Sequence, residues 1–423
     1  MSDATDTGPV LAADGTPLKK SLNRALRMQK TRALMLIAPL LLFVVLTFVV
    51  PIGDMLFRSV KNQIVTDTIP LTIFELASWD ATSGELPSEA VYDALAHDLQ
   101  IAIAAKRHTR LGSRLNYEKS GMSSLFRRSG RQIQKWDLDD GEPFKQRFID
   151  VHAGWGDIEI WNIIQTYSPP YTTGYFLNAV DRRISEDGSE ARPENQRLYI
   201  KLFKRTLFMS MVITFSCIFL GYPVAYLLAT LPKRTSNLLM ILVLLPFWTS
   251  LLVRTSAWKV LLQQQGVIND VLVWLGFIGD ASRLTMINNQ FGTIVAMTHI
   301  LLPFMILPMY SVMQTIPQTY VRAAKSLGAT DWTAFWRVYF PQSVPGIGAG
   351  SILVFILSIG YYITPEIVGG NTGTFISNRI AYHISSSLNW GLAAALGAIL
   401  LAVVMILYYA YDRIVGIDNV KLG

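Results

Sequence analysis

Few side chains in this 423-residue chain have the type and placement that chemistry would require. His299 lies inside a long apolar stretch, where a polar residue indicates either a transport pathway or a hydrogen bond between helices. Glu366 lies at the end of another, where its carboxylate would either meet a cationic solute or rest at a membrane interface. The sequence has no Gly-x-x-x-x-Gly-Lys-Ser/Thr phosphate-binding loop and no Ser–His–Asp or paired-carboxylate arrangement. It therefore predicts neither an ATP site nor a catalytic site, and the three histidines His97, His108 and His152 lack the spacing of a metal site.

The most specific pattern is the segment 320–347, which reads YVRAAKSLGATDWTAFWRVYFPQSVPGI. Residues 321–327 predict a short amphipathic helix, and Gly328 is placed to end it or to turn the chain tightly. Asp331 is placed to cap a second helix over 333–339. The segment is therefore predicted to form a helix–Gly–helix element.

Two prolines, Pro341 and Pro345, are then expected to punctuate the return of the chain to the membrane. The segment holds more apolar residues than a bare surface loop needs: Ala323, Ala324, Leu327, Trp332, Phe335, Trp336 and Val338. This excess predicts docking to the rest of the chain, to the bilayer surface or to a partner.

The elements that would position these residues are membrane helices. Hydrophobic residues make up 51% of the chain and charged residues 16%, whereas soluble domains carry about 25% charged residues. A spanning helix needs about 20 mostly apolar residues. Stretches free of Asp, Glu, Lys and Arg predict six spans, at 33–53, 206–232, 235–253, 291–315, 338–365 and 390–411. The first is too long for a signal peptide and lacks a small-x-small cleavage site, so it is predicted to be retained. The single cysteine, Cys217, is expected to be a small packing residue.

The distribution of Lys and Arg predicts the orientation of these spans. If the N-terminus is cytoplasmic, the inside segments hold thirteen basic residues and the short outside segments hold four. Both termini are therefore predicted to be cytoplasmic, and the long polar block after the first span to lie outside. The net charge of +7 is attributed to these flanks rather than to nucleic-acid binding.

The polar block, residues 54–201, holds 21 of the 30 acidic residues and is called the insert below. Residues 88–110 and 144–164 predict helices, and 181–195 an exposed loop. The first of these helices has one apolar face: Val91, Leu95, Leu99 and Ile103. The basic stretch 107–135 would either hold anionic lipid headgroups, touch a partner, or form a solvated helical face.

The segment 320–347 resembles the coupling motif of binding-protein-dependent ABC importer permeases. In that family Glu-Ala-Ala is followed after three residues by Gly, and then by an apolar patch and Pro. The matching residues are Ala323, Ala324, Gly328, Ala329, Phe335, Val338, Pro341, Pro345, Gly346 and Ile347. Arg322 stands where the family usually has Glu, so an ion pair made there would be inverted or replaced by packing. In the family this loop inserts a short helix into a groove on the ATPase subunit.

Other stretches resemble the spermidine/putrescine branch of these permeases: Arg205-Thr206-Leu207, the GYPVAY run at 221–226, LPFW at 245–248, Val253-Arg254, ITP at 363–365 and Gly369-Gly370. The resemblance implies an all-α integral membrane protein with the six transmembrane helices of a type I ABC importer permease and a mainly helical periplasmic insert after the first helix. It divides the chain into a cytoplasmic tail (1–32), the first transmembrane helix (33–53), the insert (54–201), an ABC transmembrane type-1 domain (202–412) whose coupling loop is 320–343, and a cytoplasmic tail (413–423).

The resemblance further implies a permease subunit of the bacterial inner membrane, not an enzyme, that imports a polyamine or a related small amine or organic ion. The implied partners are an ATP-binding subunit dimer, a second permease subunit that makes a heterodimer, a periplasmic solute-binding protein and the lipid bilayer. No cofactor is expected in this chain, since ATP and Mg would be held by the ATPase. The alternative is a membrane sensor or a self-sufficient secondary carrier whose periplasmic domain detects a ligand.

Overall fold

The computed structural model describes residues 18–139, 141–185 and 188–415, most of which are helical. The chain divides into two compact units, Met1–Phe57 and Arg58–Gly423. Of the two predicted tails, 1–32 and 413–423, residues 1–17 and 416–423 lie outside the described residues.

The first unit is one long helix with a local widening. It consists of α1 (Leu18–Val44), a π-helical turn (Val45–Val49) and α2 (Val50–Arg58). The stretch Leu26–Arg58 is long and apolar enough to cross a membrane, and it contains the predicted span 33–53. The π turn ends two residues before Pro51, whose ring would otherwise clash with the carbonyl oxygen of Thr47.

The insert is built from short helices and one hairpin. These are α3 (Gln63–Thr68), α4 (Pro70–Leu76), α5 (Glu89–Ala104), α6 (His108–Leu115), α7 (Met122–Ile133), α8 (Phe144–Val151), α9 (Ile158–Thr166), α10 (Gly174–Ala179), β1 (Arg182–Ser185) and β2 (Gly188–Ala191). The two strands pair antiparallel, with Arg182 opposite Ala191. The prediction of a loop over 181–195 is therefore wrong, whereas the predicted exposure holds for most of the second strand.

The core of the insert surrounds Trp155, which is fully buried. Its indole Nε1 donates to Ser129 Oγ at 2.8 Å, and its carbonyl oxygen accepts from Tyr92 Oη at 2.7 Å. The same carbonyl accepts from Trp161 Nε1 at 3.0 Å. Val91, Leu95 and Leu99 of the predicted apolar face are buried in this core, and Ile103 packs against it.

Two helices of the insert end earlier than the sequence predicts. The helix predicted over 88–110 stops at Ala104, and the chain turns through Lys106, whose φ is 55°, before α6 begins. The helix predicted over 144–164 divides at the 3₁₀ turn Ala153–Gly156, where two glycines favour irregular backbone. The insert is therefore more compact and more interrupted than two long helices would be.

The remaining helices form the membrane domain: α11 (Tyr199–Thr230), α12 (Lys233–Leu244), α13 (Leu251–Leu261), α14 (Val267–Trp274), α15 (Gln290–Thr315), α16 (Gln318–Ser326), α17 (Asp331–Ala334), α18 (Phe340–Gly360), α19 (Ile363–Val368), α20 (Gly370–Gly373), α21 (Ile376–Ser385) and α22 (Trp390–Val415). Within the described residues, five helices are long and apolar enough to cross a membrane, and this count includes Leu26–Arg58 of the first unit. A sixth candidate is a bent pair, Lys233–Trp248 followed by Leu251–Leu261.

The third predicted span, 235–253, is not a straight helix. The bent pair turns by 94°, between Trp248 and Leu251. Pro246 cannot donate to the helical ladder, and the 3₁₀ turn Leu245–Trp248 ends the first half. Ser250 then caps the second half by accepting from Val253 N at 3.2 Å. An apolar count does not register either of these hydrogen-bonding causes.

The fifth predicted span, 338–365, is displaced toward the N-terminus. A helix runs from Asp331 to Gly360 through α17, a π turn (Phe335–Tyr339) and α18. It ends because Tyr361 is extended, and Pro365 lies in the first turn of the separate helix α19.

The centre of the membrane domain is formed by α11, α15 and α18. Its buried side chains include Met209, Ile213, Met297, Leu301, Met305, Met309 and Val354. Cys217 is buried among them and donates to the Thr298 carbonyl at 3.6 Å, as expected of a packing residue.

A carboxylate of the insert fixes the start of this domain. Asp181 Oδ1 accepts from Leu198 N and Tyr199 N, each at 3.0 Å, and Oδ2 accepts from Ile200 N at 2.8 Å. These amides have no partner within the helix, and a negative charge is favoured at a helix N-terminus. The insert and α11 are therefore joined by a buried electrostatic cap.

Candidate functional site

The coupling loop (320–343) contains a tight turn centred on Gly328, directly after helix α16. Helix α16 ends in a Schellman motif, in which Ala329 N donates to Ala324 O at 3.1 Å and Gly328 N donates to Lys325 O at 3.0 Å. Gly328 has φ +89°, a conformation that favours glycine. The sequence prediction that Gly328 ends the first helix and turns the chain is confirmed.

The cap of the second helix is Thr330 rather than the predicted Asp331. Thr330 Oγ1 accepts from Thr333 N at 3.3 Å, which places Asp331 in the first turn. There Asp331 forms an ion pair with Lys325, across the turn. Asp331 thus stabilises the turn through charge instead of through a cap.

The outer surface of the turn is apolar. Leu327 is 89% exposed and Trp332 is 71% exposed, and Tyr320 and Trp336 are also exposed. Trp332 and Trp336 meet edge to face, with ring centroids 5.5 Å apart. Exposed large apolar groups gathered on one small element mark an interaction surface.

The inner surface of the loop is anchored to α11 through aromatic rings. The ring of Phe335 lies 5.7 Å from that of Tyr226 and 6.2 Å from that of Tyr222, both nearly perpendicular. Tyr222 also exchanges a hydrogen bond of 3.0 Å with Ser343, within the same loop. The two tyrosines are spaced i, i+4 on α11, so both face the loop. The sequence prediction did not include Tyr222 and Tyr226 among the residues that contact the loop, although their i, i+4 spacing could have identified them.

The remaining predicted loop residues divide by burial. Arg322, Ala323 and Pro341 are exposed; Ala324, Ala329, Val338 and Pro345 are half-buried; Gly346 is buried. Arg322 forms no ion pair with any residue that the structure describes. The side chain at the family's usual Glu position therefore points its charge to solvent.

Gly346 and Gly350 let α18 approach α15 closely. A Cβ added at Gly346 would lie 2.9 Å from Val312 Cβ and 3.1 Å from Met309 Cα. One added at Gly350 would lie 2.7 Å from Met305 Sδ. The Gly-x-x-x-Gly spacing thus joins the helix of the coupling loop to the central helix of the domain.

The two residues predicted for a substrate path are held by separate partners. His299 on α15 accepts through Nδ1 from Trp258 Nε1 on α13 at 3.1 Å, a hydrogen bond between helices. Glu366 is exposed, and its Oε2 accepts from Asn378 Nδ2 at 2.6 Å. Among the described residues, no hydrogen bond or ion pair joins His299 to Glu366, so the two do not form one site in this structure.

An arginine without hydrogen-bond partners among the described residues lies on α13, the helix whose Trp258 donates to His299. Arg254 is one turn before Trp258 on this helix, and its Nε and Nη1 atoms are buried without a hydrogen-bond partner in the described part of the chain. A buried unpaired donor costs about 1–3 kcal/mol. Ionisable groups at membrane depth usually serve a function.

Comparison with known proteins places residues 199–416 in one family. They match the model of the binding-protein-dependent transport system inner membrane component. The spermidine/putrescine transport system permease protein PotB of Escherichia coli is 33% identical over 225 residues, which cover 53% of this chain and 81% of that protein. PotB of Salmonella typhimurium strain LT2 is 33% identical over 226 residues, covering 53% and 78%. The inner membrane ABC transporter permease protein YdcU of Escherichia coli is 31% identical over 222 residues, covering 50% and 70%.

Solved structures that resemble the chain are more distant. A bacterial ABC transporter involved in the import of the acidic polysaccharide alginate is 20% identical, with a TM-score of 0.44, over 65% of this chain and 100% of that one. An inward-facing form of the MetNI methionine ABC transporter is 20% identical, with a TM-score of 0.41, over 51% and 94%.

Proposed function

This chain belongs to the family of binding-protein-dependent transport system inner membrane components, as a multi-pass permease subunit of an ABC importer rather than an enzyme, and we propose that its coupling loop docks a separate ATPase. The observation that carries this proposal is the exposure of Leu327 and Trp332 at the tip of a rigidly closed turn. Apolar side chains held this far out of the protein are stabilised when a partner covers them.

The same loop is built to transmit force as well as to bind. Trp332 lies in α17, which continues through the π turn into the spanning helix α18. Phe335 connects this helix to the tyrosines of α11. Displacement of the loop by a closing ATPase dimer would therefore act on two spans together.

The proposed orientation places the coupling loop and both termini in the cytoplasm and the insert in the periplasm. Its support is the excess of Lys and Arg in the short segments on the loop's side. The implied partners are an ATPase dimer that holds ATP and Mg, a second permease subunit that forms a heterodimer with this chain, and a periplasmic solute-binding protein that delivers the solute.

We propose a polyamine as the solute, on the support of the relatives named for spermidine/putrescine transport. The unpaired donors of Arg254 favour a second candidate, an amine that also carries a carboxylate or another anionic group. Such a group would accept the hydrogen bonds that Arg254 lacks, whereas a purely cationic solute would not.

The docking proposal is tested by retention of the ATPase on the purified permease. Trp332→Ser should remove most of the co-purified ATPase, because the loop loses the more exposed of its two exposed tryptophans. The matched control is Trp274→Ser on α14, where the tryptophan is 82% exposed but distant in sequence from the loop. Retention of the ATPase by Trp332→Ser, or equal loss in both variants, would contradict docking at this loop. Uptake that persists without ATP would instead indicate a self-sufficient carrier.

The solute is tested by equilibrium binding to the cognate solute-binding protein and by uptake into proteoliposomes. Spermidine and putrescine form one arm, and amines that carry a carboxylate form the other. If Arg254 recognises an anionic group, Arg254→Gln should lower uptake in the second arm and leave the first unchanged. Uptake of neither class would exclude both candidates.

A further inference from the structure

A cavity of about 390 Å³ lies between α6 of the insert and the loop that leads into α22. Its lining includes Lys106, Arg110, Arg114, Tyr117, Ser387 and Asn389, and we call it the α6 cavity. No acidic residue is among the described residues that line it. The basic stretch of the insert thus contributes its first turns to a concave site instead of only to a solvated face.

The charged side chains that line this cavity are all basic, and Glu118, the carboxylate that pairs with Arg114, is not part of the lining. Arg114 is buried, and its Nη1 donates to Glu118 Oε1 at 2.7 Å. Arg192 Nη2 approaches the other oxygen of Glu118 at 3.4 Å. One carboxylate therefore serves two guanidinium groups, and Lys106 and Arg110 add two exposed charges at the rim. Buried charge of one sign favours a ligand of the other.

Two residues that line this cavity each carry a buried nitrogen donor that has no hydrogen-bond partner in the described part of the chain. They are Arg114 Nη2 and Asn389 Nδ2, on side chains that are each more than nine-tenths buried. Asn389 Oδ1 accepts from Leu392 N at 3.2 Å, which leaves the amide nitrogen as the free end of the side chain. Buried donors without partners are costly, so a bound group that accepts hydrogen bonds would stabilise this wall.

The cavity lies where the last span begins. Asn389 directly precedes Trp390, the first residue of the apolar helix α22, and tryptophan is enriched at the level of lipid headgroups. Ile64 and Leu388 supply an apolar part of the lining. Leu388 has φ +52°, a strained conformation for a residue with a side chain, so the loop is held in an unfavourable form beside the cavity.

We infer that the α6 cavity binds a phosphate group, carried by a phospholipid headgroup at the membrane surface or free in solution. The two buried donors bind the phosphate oxygens, and the two rim cations attract the charge. The insert is thereby tied to the start of α22 by a ligand as well as by its own packing.

The test uses the full-length permease, purified in detergent without phosphate and titrated separately with inorganic phosphate and with short-chain phosphatidylglycerol. Asn389→Asp keeps the oxygen that accepts from Leu392 but replaces the free donor with an acceptor. Lys106→Gln/Arg110→Gln removes the rim charges at exposed positions, so the fold is retained. Each variant should weaken binding about tenfold or more, since charge-assisted hydrogen bonds are lost. The control is Arg127→Gln/Arg128→Gln, which removes the same charge from exposed positions on α7 that do not line the cavity.

Binding of phosphatidylglycerol alone identifies a lipid headgroup as the source, and binding of inorganic phosphate in competition with the lipid identifies a free phosphate group. Absence of saturable binding of either probe would overturn the inference. Equal weakening in the α7 control would also overturn it, because binding would then depend on net charge and not on this cavity. If Asn389→Asp fails to fold, the rim variant and its control decide the outcome.

Discussion

Phe335, which anchors the coupling loop to α11, offers a test of the proposal that a docked ATPase would move the spans through this loop. Its ring packs against Tyr222 and Tyr226 of α11, beside the further contacts that Tyr339 and Phe340 make with these two tyrosines. Phe335→Ala should leave the exposed surface of Leu327 and Trp332 intact, because both side chains are mostly exposed and neither ring contact of Phe335 with α11 involves them. We therefore expect the variant to keep the ATPase bound but to weaken the connection between the loop and the second span, which the contacts of Tyr339, Phe340 and Ser343 retain in part.

The magnitude follows from the burial of the ring. Truncating a fully buried phenylalanine to alanine costs about 3–5 kcal/mol. Phe335 is half-buried, so the loss is about 2 kcal/mol, which loosens the seating of the loop on α11 by about 30-fold. Phe335→Leu retains most of the apolar volume and should lose much less.

The assay is solute transported per ATP hydrolysed in proteoliposomes that contain the complete transporter and its solute-binding protein. For Phe335→Ala this ratio should fall by at least an order of magnitude while ATPase content stays constant. The matched control is Phe304→Ala, another half-buried phenylalanine, whose ring meets Phe247 at 5.1 Å and lies away from the loop. An unchanged ratio in Phe335→Ala, or an equal fall in Phe304→Ala, would refute the role of this anchor.

Three further changes test the turn, the helix seam and a buried histidine. Gly328 has φ +89°, and an added Cβ would meet no atom within 4 Å, so backbone strain alone should penalise a substitution there. ATPase retention should therefore fall as residue 328 is changed from Gly to Asn, to Ala and to Val. Better retention by Gly328→Ala than by Gly328→Asn would indicate steric exclusion by the ATPase instead. Gly346→Ala should destabilise the permease by about 1–3 kcal/mol in thermal unfolding, because its Cβ meets Val312 at 2.9 Å, whereas Gly360→Ala meets nothing and should be neutral. Burial, and then the charge of a nearby arginine, lower the pKa of His383 from 6.5 to about 4. The unfolded chain therefore binds the proton first, and stability should fall by about 3 kcal/mol as pH drops from 6.5 to 4. His383→Gln should remove that part of the pH dependence, and an unchanged melting profile against pH would contradict it.

Local features of the coupling loop were predictable because they depend on a single residue type. Only glycine adopts positive φ at little cost, so the position of Gly328 after an amphipathic run was sufficient to predict the turn. The choice of cap was not, since Thr330 and Asp331 are both competent acceptors one residue apart. Thr330 is the acceptor in the structure, and Asp331 pairs with Lys325 across the turn, an arrangement that the spacing alone does not encode.

Breaks in the helices were harder to predict than the helices themselves. Pro246 divides the third span, but Pro341 does not divide the helix from Asp331 to Gly360. At Pro341 a π turn absorbs the missing hydrogen bond, whereas at Pro246 a 3₁₀ turn is followed by the Ser250 cap. Both prolines lie in apolar stretches, so hydropathy does not distinguish them. The hydrogen bonds of the neighbouring residues decide whether the helix bulges or breaks.

The hairpin and the α6 cavity were beyond the sequence for a related reason. Residues 182–185 and 188–191 are short, and the second strand is mostly exposed, so no alternation of apolar and polar residues reveals the strands. The cavity joins Arg114 to Asn389, which lie 275 positions apart. The basic stretch was visible in the sequence, but its proximity to Asn389 on the opposite side of the cavity was not.

The continuity of the helix Asp331–Gly360 determines how the loop can act on the membrane domain. Near the loop, Phe335 holds this helix against α11; farther along, Gly346 and Gly350 hold it against α15. The π turn Phe335–Tyr339, the one widened turn in this helix, begins at the contact with α11 and ends before the glycine contact with α15. Sharp kinks of helices occur at such π turns, so this turn is where we expect the helix to bend. The glycine seam makes α15 and α18 move as a pair, so motion of Trp332 that is not absorbed at the π turn must reach both helices. Phe335 lies at the start of that turn, and its contacts with α11 therefore determine whether displacement of the loop bends the helix locally or carries the central spans with it.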